Sequence, residues 1–180
     1  PVIVENRPGA GAAIATEFVA KAPADGYTLL LGSAGPFGIL PALNPKIPYD
    51  PLKDFDPVTL VVIMPFVMTV HPSLPVKNVK ELIALAKARP GQLFGSSSGR
   101  ATVGHMSIEL FNSMAGVKVV HVPYKGAGPA IIDLVAGHVQ LQFSSLPLVS
   151  GHVQQGRIKL IAQTGDKRAG FAKDIPTMIE

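Results

Sequence analysis

The chain has 180 residues, of which 47% are apolar and 16% charged, with no cysteine, no tryptophan and a formal net charge of +4. That composition is too hydrophobic for a disordered segment, and a chain of this length can bury roughly two thirds of its unfolded surface. The lack of cysteine excludes a disulfide scaffold, a thiol nucleophile and every thiolate metal site.

Charge is uneven: residues 1–70 hold 4 Lys/Arg against 6 Asp/Glu, and residues 71–180 hold 12 against 6. The basic residues are scattered and only 6% of positions are aromatic, which argues against nucleic acid and fits a small anionic ligand better, although charge alone favours a plain solvated basic face. The chain opens on Pro1 without an initiator Met or a leader pattern, so a longer protein is expected to start upstream.

Val2-Ile3-Val4 predicts a strand, the Pro8-Gly9 turn follows, and Ala12, Ala13, Ile14, Ala15, Phe18 and Val19 recur at helical spacing up to Pro23. Tyr27–Leu31 is a continuous apolar run, the pattern of a parallel strand buried on both faces, so the opening reads as βαβ. Residues 32–36 then form a loop at that strand's C-terminal end, where open α/β sheets place ligands. Five prolines between 41 and 57 predict a meandering segment, and two β-rich runs over 58–71 are separated by Pro65. Their 14-residue span from Pro57 to Val70 is too short for a membrane helix, which needs about 18–20 residues. Asn78, with Glu81 three residues on, predicts a helix start with a capping-box variant.

Beyond residue 90 the pattern alternates. Strands are expected at 92–95, 117–122, 139–143 and 158–162, with helices at about 102–115, 129–136 and 147–155, which implies a parallel, doubly wound sheet. Gly116 and Gly137 fall where helices end.

The most suggestive segment for chemistry is Leu93–His105, a strand, a Gly/Ser loop and a helix start. Hydroxyls, free N–H groups and the Arg100 guanidinium converge there at the positive end of a helix macrodipole, which suits a carboxylate. A plain Ser-rich cap is the competing reading. Gly95-x-Ser97-x-Gly99 also matches the nucleophile elbow of a serine hydrolase, for which Asp133 with His138 or His152 would have to complete the triad. Gly9-x-Gly11-x-x-Ile14 lacks the small third residue of a dinucleotide fingerprint, and the five histidines lack metal-ligand spacing, so neither a cofactor nor a metal is expected. His121, within an apolar strand, reads as a satisfied core histidine. Loops at 123–128 and 144–147 should join the Ser97 loop on one sheet edge. Lys125 there is as readily a surface lysine as a pocket residue, and Ser144 and Ser145 could equally be helix caps.

Several longer strings carry a resemblance: Val4-Glu5-Asn6-Arg7-Pro8-Gly9-Ala10-Gly11, Ala24-Asp25-Gly26-Tyr27-Thr28-Leu29-Leu30, Tyr49-Asp50-Pro51-x-Lys53-Asp54-Phe55, His121-Val122-Pro123-Tyr124-Lys125-Gly126 and Pro176-Thr177. On these the whole chain resembles the periplasmic solute-binding proteins of tripartite tricarboxylate transporters, the Bug proteins. The resemblance implies an α/β, two-lobed Venus-flytrap fold of the type II class. It also implies a periplasmic receptor, not an enzyme, monomeric when full length, that delivers a small organic acid to the transporter's membrane subunits. Residues 1–71 would belong to one lobe, the hinge would cross near 64–72, residues 72–165 would form the second lobe and 166–180 would lead back. An N-terminal strand and the C-terminal part are expected outside the chain.

By the same resemblance the ligand would contact Ser33 and Ala34 from the first lobe. From the second it would contact Ser97, Ser98, Gly99, Arg100, Ala101, Thr102 and Ser144. Arg100 stands where the family usually has a small or amide residue, Ala101 where it has glycine, and Ser144-Ser145 where it often has Asp-Asn. Those exchanges make the site more positive and imply a mono- or dicarboxylate.

Overall fold

The computed structural model describes residues 1–170 and 172–180. Its organising element is a five-stranded sheet of β1 (Phe66–Val70), β2 (Leu93–Ser97), β3 (Val119–Pro123), β4 (Leu141–Ser145) and β5 (Lys159–Gln163), in the order β3-β2-β4-β1-β5. Helices α3 (Val79–Ala88), α4 (Val103–Ala115), α5 (Ala127–Ala136) and α6 (Leu146–Gln154) connect the strands. The α/β class and the alternation beyond residue 90 are as expected.

Local chemistry explains the helix limits. The Asn78 side chain accepts the Glu81 N–H at 2.9 Å, and α4 and α5 end on Gly116 and Gly137 in the left-handed region that glycine adopts without strain. Side chains alternate between the two faces of the sheet. Met68, Val70, Leu141 and Phe143 meet Leu82 of α3 and Ile108 and Phe111 of α4, while Val67 meets Ile131 and Leu134 of α5 and Val149 of α6.

The four strands expected beyond residue 90 all run in one direction, as expected, and β1, inserted between two of them, makes the sheet as a whole mixed. Strands β2, β3 and β4 are mutually parallel, but β1 lies antiparallel between β4 and β5. Phe66 pairs with Ser145, at the C-terminal end of β4, so the chain arrives at the loop edge of the sheet and can only run away from it. Burial on both faces keeps β1 central. The chain enters the sheet at Phe66, directly after Pro65, which has no N–H to give to a ladder. The segment after β5 packs beside the same sheet: Gln163 Nε2 donates to the carbonyls of Ala172 (3.0 Å) and Ile175 (2.6 Å), and Met178 packs against the core.

Residues 1–65 contain α1 (Ala13–Ala20) and a π-helical turn, Gly35–Ile39, running into α2 (Leu40–Leu43). The strands expected at 2–4 and 27–31, and the first β-rich run at 58–63, pair with no other segment among the described residues. Ile3 is 91% exposed and Leu31 82%. An apolar run becomes a strand only where a neighbour supplies the ladder, and none of the described residues supplies one to these runs. Tyr49, whose hydroxyl donates to Pro36 O at 2.7 Å, and the edge-on Phe37–Phe55 pair tie this region together locally.

Candidate ligand-binding site

Because β2, β3 and β4 are parallel, the loops that leave them at 98–102, 124–126 and 145 share one edge, as the sequence implied. The first region approaches that edge through two glycines. A Cβ on Gly11 would lie 2.5 Å from Arg100 O, and one on Gly35 would lie 3.3 Å from Ala101 O, so the 97–102 loop is packed directly against both backbones.

The loop holds its own shape. Ser97 is fully buried; its Oγ accepts the Gly99 N–H at 3.2 Å and lies 2.9 Å from Gly99 O and 2.6 Å from His121 Nε2. Thr102 caps α4, accepting the His105 N–H, and its hydroxyl donates to Gly99 O at 2.8 Å. Gly99 (φ +142°) brings the loop against Tyr124 O, and Ala101 is buried at φ +58°. The hydroxyls of Ser97 and Thr102 are thus engaged within the loop.

Ser98 is half-buried and Arg100 exposed, and neither side chain has a hydrogen bond or ion pair among the described residues. With Gly11, Leu40, Tyr124 and Lys125 they line an open cavity of about 420 Å³. Arg100 and Lys125 both belong to the lining of this space, beside the N-terminus of α4, and two cationic residues there favour an anion. Ser33 and Ala34 are exposed, just before Gly35, and do not line the cavity. Ser144 is likewise outside it, at the end of β4. Its Oγ is buried without a partner, and Ser145 caps α6 with no side-chain bond, so neither hydroxyl serves as the cap that the sequence allowed.

The hydrolase reading loses its geometry here. A nucleophile must be reachable, and Ser97 is buried with its oxygen engaged. Asp133 instead takes the Tyr124 hydroxyl at 2.5 Å and lies 3.3 Å from His138 Nδ1, while the histidine at Ser97 is His121. The Asp133 carboxyl is held below its usual range by the Tyr124 and His138 bonds, and burial followed by Asp133 pushes Tyr124 up to about 12.

Two residues under the loop were not legible as functional. His105 and His121 stack with ring centroids 3.9 Å apart, and Nδ1 of His105 accepts the Ala101 N–H at 3.2 Å. Burial, then His105, then Arg100 hold His121 down at about 4; His105 is also lowered, chiefly by burial, with Glu109 opposing. The spacing Thr102 to His105 was a usable signal for a residue facing the loop, but the stack joins α4 to β3 and has no local signature.

The family model described as tripartite tricarboxylate transporter family receptor matches residues 1–180. Protein BugT of Bordetella pertussis is 39% identical over 181 residues, covering 100% of this chain and 56% of BugT. A solved structure described as a periplasmic transporter superposes with TM-score 0.95 at 40% identity, over 99% of this chain and 60% of the other. Rpa4515 of R. palustris, solved with adipate, gives 0.94 at 39% identity over 98% and 59%. The chain spans about half the length of the curated relatives it matches.

Proposed function

Because this chain belongs to the tripartite tricarboxylate transporter receptor family, we propose that it is part of a periplasmic receptor of the Bug type, not an enzyme. The receptor captures a small mono- or dicarboxylate between two lobes and hands it to the membrane subunits of a tripartite transporter. The observation that carries this reading is the unpaired Arg100 beside Lys125, in a cavity bounded by the 98–100 loop on one side and Gly9–Gly11 on the other. A guanidinium with no carboxylate partner among the described residues is available for a bidentate bond to a ligand carboxylate.

Ser98, Gly99 and Arg100, which line the cavity, are the direct contacts in this reading, and Ser33, Ala34 and Ser144, which do not line it, are contacts by family resemblance alone. Ser97, Ala101 and Thr102 set the loop's shape. Adipate in the related Rpa4515 structure agrees with a dicarboxylate as the first ligand to try.

Isothermal titration of the full-length protein against a panel of mono- and dicarboxylates, adipate included, tests the reading. At least one acid should bind, and Arg100→Ala should weaken it by about tenfold or more, the ~1.4 kcal/mol expected for losing a charged hydrogen-bonded contact. Unchanged affinity for every acid that binds, or no binding by any, overturns it.

A further inference from the structure

We propose that neutral His105 is a positioning residue that latches the 97–102 loop through the Ala101 amide, and that a proton on His105 releases the loop. The latch stands on the chain's own geometry. Only its consequence for a carboxylate rests on the receptor reading above.

An imidazole nitrogen that accepts an N–H cannot itself carry hydrogen. Nδ1 of His105 accepts the Ala101 N–H at 3.2 Å, so the ring proton sits on Nε2, which faces Glu109 Oε1 at 3.6 Å. Adding a proton to Nδ1 sets two N–H groups against each other and removes the acceptor. Ala101 sits at φ +58°, a region that an L-residue rarely adopts, so a bond to its amide helps to hold the loop in that shape.

The second ring secures the other end of the loop. His121 lies under His105 with centroids 3.9 Å apart and planes 25° from parallel, and its Nε2 meets Ser97 Oγ at 2.6 Å. The stacked pair therefore grips Ser97 and Ala101, the residues that bracket Ser98, Gly99 and Arg100. The titratable and charged groups facing His105 are Glu109 on its own helix, His121 on β3 and Arg100 in the loop. Glu109 alone favours a proton; burial and Arg100 oppose one. The latch is closed at neutral pH and opens in acid.

Nuclear magnetic resonance on the ¹⁵N-labelled full-length protein tests this without any ligand. At neutral pH the His105 Nδ1 should show the shift of an unprotonated nitrogen, and the Ala101 amide resonance should move in step with His105 as pH falls. In His105→Asn, whose side-chain oxygen can accept in place of Nδ1, the Ala101 amide should stay put across that range. His105→Phe, which keeps a stacked ring but no acceptor, should speed Ala101 amide exchange by about tenfold or more. A protonated Nδ1 at neutral pH, or an Ala101 amide indifferent to His105 titration, overturns the latch.

Titration with adipate then reads the consequence. Between about pH 7.5 and about pH 4 the native protein should lose about tenfold more affinity than His105→Asn, the ionisation of adipate being common to both. Equal losses would overturn the coupling of latch to ligand. Should adipate bind neither protein at neutral pH, the receptor reading fails on that ligand while the amide measurement still decides the latch.

Discussion

Residues 1–65 and 66–178 are both rich in strand-length apolar runs, but only those of the second region pair with neighbours inside this chain, which spans about half the length of the curated relatives it matches. In the second region each run finds a neighbour, and Met68, Val70, Leu141 and Phe143 are buried at 0–2% exposure. In the first, Val2–Val4, Leu29, Leu31 and Leu60–Ile63 stay mostly exposed, and order rests on α1, the turn at 35–39 and a few local contacts. Hydrophobicity sets which segments can become strands, and pairing decides which do. The candidate site lies on the seam, where Gly11 and Gly35 of the first region touch the 97–102 loop of the second.

The largest expected effect separates the two regions directly. Phe143→Ala removes a ring packed between β4 and α4, and should lower the unfolding free energy of the chain by about 3–5 kcal/mol. Val62→Ala, at a residue 63% exposed and outside any ladder, should change it by less than about 0.5 kcal/mol. Urea denaturation of both variants measures this. Similar losses for the two would mean that the first region has a core of its own, and the contrast would collapse.

The two regions were also unequally legible in the sequence. What local chemistry controls was readable: the Asn78 cap, Thr102 at the start of α4, the glycine ends at 116 and 137, and the alternation that puts three loops on one edge. What depends on distant pairing was not. The periodicity of 66–70 says strand, but its antiparallel place between β4 and β5 follows from where the first region delivers the chain. Within the site, Arg100 and Ser98 were legible as free polar groups near a helix start. That the hydroxyls of Ser97 and Thr102 bond within the chain, to Gly99 and His121, was not legible, because His121 lies 24 residues from Ser97.

A smaller effect is expected at the seam. His121 titrates at about 4 in the fold against an ordinary value near 6.5, so between those values the unfolded chain binds a proton that the native chain refuses. Stability should therefore be full above about pH 6.5, fall as pH drops and level off near pH 4. Allowing for the ring's partial exposure, the loss should be about 1–2 kcal/mol. Denaturation midpoints against pH measure it, and His121→Gln should flatten the curve across that window. A native profile already flat there would mean that the ring is hydrated and the seam looser than its contacts indicate.

The smallest effect sets one alanine of each region against the other. Ala12, before α1, and Ala101, in the site loop, both adopt positive φ, +75° and +58°. Glycine at such a position relieves about 1–2 kcal/mol of backbone strain but frees the unfolded chain by about 0.5–1 kcal/mol. Ala12 is exposed, so its methyl group contributes little packing, and Ala12→Gly should raise stability by about 0.5 kcal/mol. Ala101 is only 4% exposed, and deleting its methyl forfeits about 0.8 kcal/mol of burial, which brings Ala101→Gly to about zero. Paired thermal melts of the two variants would read the difference. A clear gain at Ala101 would mean that the methyl is poorly packed and that the strain, held in place by His105 below it, is the larger quantity.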